Sequence, residues 1–215
     1  MTRSQIALVM HALALIGAMF VLVPRVTAIH GPSGFLLSLA FYWLAFCLPV
    51  IALHVWRQRG ELLFSERLAW RYWYIPVLLL AQVGLVFIVA LVPHTGILTT
   101  RGAMLAAAIA LINGPLEETA WRGGFMIEFS NRPRLGFMLG WLLFTAWHIP
   151  LALSHNIIFA GGWPALVAGA ALLGLLWNWI AWRTGSVFWT SIAHVLTNVL
   201  TFWVLFNTND FVTPH

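Results

Sequence analysis

The stretch LINGPLEETAWRGGF, residues 111 to 125, sets Glu117 and Glu118 side by side, with Arg122 one helical turn later. The chain has only 6 acidic residues, so two adjacent carboxylates in an apolar run need a physical reason. Ionisable side chains at bilayer depth are costly unless paired, which makes them candidates for chemistry. In a helix Glu118 and Arg122, four apart, share a face and can form an ion pair. Glu117 points roughly 100° away from Glu118. This division leaves Glu118 neutralised and Glu117 available as a base. A carboxylate can serve as a base at neutral pH where burial raises its pKa, while a paired neighbour stays ionised.

Two further short motifs carry polar groups in apolar surroundings. FTAWH ends in His148, and HVLTN holds His194 and Asn198, again four apart and on one helical face. Both of the latter could hydrogen-bond a single oxygen, as an oxyanion site requires. Pro115, in NGP, fits the first turn of a helix. The segment is therefore expected to break and restart there, with Glu117 near a positive helix end.

The elements that must hold these groups are membrane helices. The chain has 215 residues, is 61% hydrophobic and 8% charged, and has a mean hydropathy of +0.90; a soluble domain carries roughly a quarter charged residues. Hydrophobic runs fall at about 5–23, 35–55, 75–93, 102–127, 135–153, 163–182 and 186–206. They predict an all-α, polytopic transmembrane bundle of about seven helices with a polar intramembrane chamber, in a single membrane domain over 1–215. The first run is too long for a signal-peptide core and reads as the first membrane helix. The segment ELLFSERLAWRYW, residues 61–73, is expected to lie along the cytoplasmic surface as an amphipathic helix.

The net charge of +5 comes from arginine alone. In a membrane protein such an excess marks cytoplasmic loops, so nucleic acid is excluded as a partner. With the N-terminus inside, Arg3, Arg57, Arg59, Arg67, Arg71, Arg132, Arg134 and Arg183 are cytoplasmic, against Arg25 and Arg101 outside. The reverse orientation breaks the positive-inside rule. The single cysteine, Cys47, permits no internal disulfide and reads as core filling.

At about 1.5 Å per residue, Glu117 lies roughly 15 Å from the cytoplasmic end of the fourth run, His148 roughly 20 Å, His194 roughly 12 Å and Asn198 roughly 18 Å from theirs. Three helices thus bring their polar groups to one level, in the cytoplasmic half or near the midplane. A chamber holding water is expected. Trp121 and Trp147, each beside a motif residue, either wall that chamber or simply pack. Glu128, at the interfacial end of its helix, is expected to be solvated, and His11, His30, His54, His94, His155 and His215 are assigned no chemistry.

EETAWR, FTAWH and HVLTN, in that order, resemble the EExxxR, FxxxH and HxxxN/D motifs of the CAAX prenyl protease family, also called CPBP intramembrane proteases or type II CAAX endopeptidases. The resemblance spans about residues 102–206, the implied catalytic core; the first three runs carry no matching motif. It implies an intramembrane endopeptidase acting near the cytoplasmic side on a membrane protein or lipidated peptide, prenylated CAAX-type substrates included. By position, Glu117 would activate water, His148 would position that water, His194 and Asn198 would stabilise the oxyanion, and Glu118 and Arg122 would order the site.

Two histidines and a glutamate could also furnish three zinc ligands. HExxH is absent, however, and the ligands would come from three helices. The expectation is a glutamate-activated water with no metal or cofactor, and a Zn2+ enzyme is the alternative. Readings from other classes are a proton-coupled transporter using Glu117 and His148 as a relay, and a non-catalytic scaffold that keeps the fold. For Asn198 the structural reading is a bond between helices. Arginine-only basic usage and the compact length favour a prokaryotic cell-membrane protein with its N-terminus in the cytoplasm. Oligomeric state is left open.

Overall fold

An apolar segment in lipid must satisfy its own backbone, and a helix does so within one stretch of chain. The protein's computed structural model describes residues 1–58, 63–64 and 70–211, and no strand occurs among them. The principal helices are α1 (Arg3–Tyr42), α2 (Tyr74–Val86), α3 (Thr100–Glu117), α4 (Gly124–Glu128), α5 (Pro133–Ala152), α6 (Gly162–Thr184) and α7 (Phe188–Thr208). Five helical runs, Arg3–Val55, Trp70–Ile97, Pro133–Ala152, Gly162–Thr184 and Phe188–Thr208, are long and apolar enough to cross a membrane. The chain is an all-α, polytopic integral membrane protein. The run from Thr100 to Glu128 is not among the five, and it is the one carrying Glu117, Glu118 and Arg122. The surface helix expected over 61–73 falls largely outside the described residues.

The gap left between the runs 5–23 and 35–55 is a turn: within α1, Gly31 adopts φ 54° and ψ −129° just before Pro32, so the run turns back on itself there; only glycine takes such a backbone readily. The break expected at Pro115, by contrast, does not occur. α3 continues to Glu117 and then widens into a single π-helical stretch, Glu118–Gly123, before α4. Pro115 removes one backbone donor; the Thr119 hydroxyl donates to its carbonyl at 2.7 Å. Glu117 therefore sits within a continuous helix rather than at a helix N-terminus, and the expected dipole effect does not apply. Such π-turns occur frequently at functional sites.

Hydrogen bonds between helix ends define two faces of the bundle. On the N-terminal face, Gln5 donates to the Glu128 carbonyl at 2.7 Å and to Asn131 at 2.8 Å. His54 and Ser4 both reach the Glu128 carboxylate at 2.8 Å. Glu128 was expected to be solvated, yet its side chain is only 6% exposed because these groups enclose it. On the opposite face, Trp203 donates to the Thr99 carbonyl at 2.9 Å, His155 N–H to Thr27 at 2.8 Å, and Ile158 N–H to Asn209 at 2.6 Å.

Between the faces, Tyr42 stacks on Trp147 at 3.9 Å, and the Phe46 ring lies 4.4 Å from that of Trp121. α3 and α7 approach closely where α3 carries small residues. A Cβ on Gly114 would fall 2.8 Å from Val195 Cγ2 and 3.0 Å from Val195 N. Because backbone cannot yield as a side chain does, Gly114→Val is expected to destabilise by about 1–3 kcal/mol through overpacking. The check is the thermal unfolding midpoint in detergent, which should fall, whereas an unchanged midpoint would contradict this contact.

Candidate active site

α3 brings Glu117 and, one turn earlier, Asn113; the π-turn brings Glu118 and Arg122; α5 brings Phe144 and His148; α6 brings Gly174 and Trp177; α7 brings His194 and Asn198. Glu117, Glu118, Arg122 and His194 are 2%, 0%, 1% and 3% exposed, so four ionisable groups share a site closed to bulk solvent. Charges removed from water must find partners. Here they gather around one imidazole, although Glu117 Oε2, Glu118 Oε2 and Arg122 Nη1 make no hydrogen bond among the described residues.

His194 places Nδ1 2.9 Å from Glu118 Oε1 and Nε2 3.3 Å from Glu117 Oε2. The ring thus bridges the two adjacent carboxylates. Arg122 lies 3.2 Å from the same Glu118 oxygen and donates to the Gly174 carbonyl at 3.3 Å. Its guanidinium sits 3.9 Å above the Phe144 ring, a geometry that favours a desolvated cation. Trp177 stacks on His194 at 4.3 Å. Glu118 thus lies against the cation, and Glu117 lines a cavity.

That cavity holds about 460 Å³ and is lined by Glu117, His148, His194, Asn198 and Asn113 among mainly apolar side chains. His148 donates from Nδ1 to the Phe144 carbonyl at 2.9 Å, since a carbonyl can only accept. Nε2 is left as the lone-pair atom available to the cavity. Asn198 Nδ2 is buried with no partner among the described residues, a donor waiting for an acceptor. All six residues singled out by motif therefore meet around or directly beneath one space. The pair His194 and Asn198, expected to hold one oxygen together, is divided: both His194 nitrogens face glutamates, and Asn198 alone has a free donor.

No group of three or more His, Cys, Asp or Glu that could hold a metal ion occurs among the described residues.

Sequence reasoning missed the supports supplied by the first hundred residues. Tyr42 accepts the Trp121 indole N–H at 2.6 Å, and Trp43 donates to Asn113 Oδ1 at 2.7 Å. Gln82 accepts from Trp177 Nε1 at 3.3 Å and donates to Thr197 at 2.9 Å. Asn113 could have been found by applying to Glu117 the same four-residue spacing that linked Glu118 to Arg122. Gln82 could have been found as an uncharged polar residue within an apolar run. No signal marks Tyr42 or Trp43.

Residues 99–200 match the model of the Rce1-like family, described as type II CAAX prenyl endopeptidase Rce1-like. No curated protein and no solved structure matches the chain.

Proposed function

Since residues 99–200 match the model of the Rce1-like family of type II CAAX prenyl endopeptidases, we propose that the chain hydrolyses a peptide bond inside the membrane with a water activated by Glu117. The substrate class is a membrane protein or lipidated peptide, prenylated CAAX-type chains included. The observation that carries this reading is the division between the two glutamates: Glu118 is held by Arg122, and Glu117 lines the cavity.

In this mechanism the water gives a proton to Glu117 as its oxygen bonds to the substrate carbonyl carbon. His148 Nε2 orients the water from the far wall. The oxyanion accepts from Asn198 Nδ2, a preorganised donor in a water-poor site. The proton on Glu117 then passes to the leaving nitrogen as the C–N bond breaks. His194 links both carboxylates, and Arg122 with Glu118 holds that imidazole in place. His194 is thereby a positioning residue in the resting state rather than an oxyanion donor. No zinc enters the scheme. The membrane is taken to be a prokaryotic cell membrane.

Reconstituted protein should cleave a quenched-fluorescent CAAX-type peptide, and a zinc chelator should leave the rate unchanged. No cleavage of this peptide or of any membrane-bound substrate would defeat the reading. Loss of activity on chelation, restored by zinc, would defeat its metal-free form.

A further inference from the structure

Asn113 stands one helical turn before Glu117 on α3. It is 4% exposed and lines the same cavity. The Trp43 indole N–H donates to its Oδ1 at 2.7 Å. An indole nitrogen can only donate, so this bond fixes which end of the amide is oxygen. Nδ2 is turned the other way and has no hydrogen-bond partner among the described residues. A buried amide donor left without a partner is costly. A ligand oxygen in the cavity would remove that cost.

α3 and α7 run antiparallel. Towards one end of the pair, Trp203 donates to the Thr99 carbonyl at 2.9 Å, and a Cβ on Gly102 would collide with the Asn207 side chain. Towards the other, Gly114 abuts Val195, and His194 lies 3.3 Å from Glu117. One turn back along α3 from Glu117 and one turn on along α7 from His194 are therefore the same level. Those positions hold Asn113 and Asn198. Asn198 Nδ2 is likewise buried without a partner among the described residues, and both asparagines line the cavity. Two amide donors from facing helices thus share one layer, next to the layer of the glutamate and the imidazole.

We infer that Asn113 is a further catalytic residue, whose Nδ2–H joins that of Asn198 in holding the oxyanion of the peptide bond being cleaved. This role rests on the proposed function. As the water oxygen bonds to the carbonyl carbon, the π pair moves onto the carbonyl oxygen and the water proton moves to Glu117. The oxyanion then accepts one N–H from each asparagine. When the C=O bond re-forms, the C–N bond breaks and the leaving nitrogen takes the proton from Glu117. Donors fixed in advance, in a place with little water, stabilise such an oxygen most, and the bond from Trp43 fixes this one. His194 does not supply the second donor in this state, because both its nitrogens face glutamates.

Steady-state kinetics of the reconstituted protein on a quenched-fluorescent CAAX-type peptide tests this role. Asn113→Leu keeps the side chain's size and removes the donor. Its kcat should fall about 10²–10³-fold, the cost of one oxyanion donor, with KM little changed. Asn113→Ala serves if that variant fails to accumulate. Trp43→Phe removes the indole N–H but leaves the amide donor, and should cost much less. A phosphinate analogue of the same peptide, tetrahedral and anionic, should lose affinity for Asn113→Leu by a similar factor. Unchanged kcat overturns the inference, and so does unchanged affinity for the analogue. A rise in KM alone overturns it too, since Asn113 would then hold bound substrate rather than the oxyanion. An equal loss in Trp43→Phe would make the pair a strut between helices and also overturn it. If the wild type cleaves nothing, the proposed function fails and takes this role with it. Wild-type cleavage with Asn113→Leu unimpaired removes this role alone.

Discussion

Glu117→Gln is expected to lower kcat for peptide cleavage by about 10²–10⁴-fold, the range associated with a general base. The amide keeps the side chain's size but cannot take the proton of water. Substrate binding should change little, because Glu117 is one group at the end of a long apolar cavity. His194→Ala should cost a comparable amount alone, since it leaves both carboxylates without their shared partner at 2.9 and 3.3 Å. In the Glu117→Gln background it should cost far less, as residues acting as one unit are strongly non-additive. Steady-state kinetics on the four proteins completes the cycle. Full activity of Glu117→Gln would remove the base from the mechanism, and simple additivity would separate His194 from it.

Arg122→Met should have the largest effect on folding. Breaking a buried ion pair from one side leaves an uncompensated charge and costs about 3–5 kcal/mol in soluble proteins. Arg122 is 1% exposed and Glu118 0%, and the bridge from His194 to Glu118 does not replace a guanidinium bonded to both Glu118 and the Gly174 carbonyl. Low yield and a reduced thermal midpoint are expected. Glu118→Gln added to Arg122→Met should recover much of that stability, because the orphaned charge goes as well, while activity stays low. If the single variant were as stable as wild type, the pair would be decorative.

Much of the architecture could be read before any coordinates, for a plain physical reason. Hydrophobic run length fixes where a chain can cross a membrane, and polar residues within such runs have few explanations. Thus EETAWR, FTAWH and HVLTN were placed on the correct helices, and their polar members converge on one cavity. Spacing gave the Glu118–Arg122 pair because four residues share a face in α and π winding alike. It could not give the π-turn itself, which residue spacing does not distinguish from α winding. Nor could it give the orientation of the His194 ring. That orientation depends on Trp177 stacking from a different helix, a partner that no count along the chain identifies. Glu128 was misread as solvated for the same reason: Ser4 and His54, distant in sequence, cover it.

The props under the motif residues have an evolutionary reach. Trp121, Asn113 and Trp177 lie inside the family-matched segment, yet their hydrogen-bond partners Tyr42, Trp43 and Gln82 lie outside it. Excised at residue 99, that segment would present two indole N–H groups and an amide oxygen to lipid. Neither half of the gene is therefore free to drift by itself. A chimaera joining one relative's leading helices to another's motif helices inherits a working centre only where these donors and acceptors still find each other.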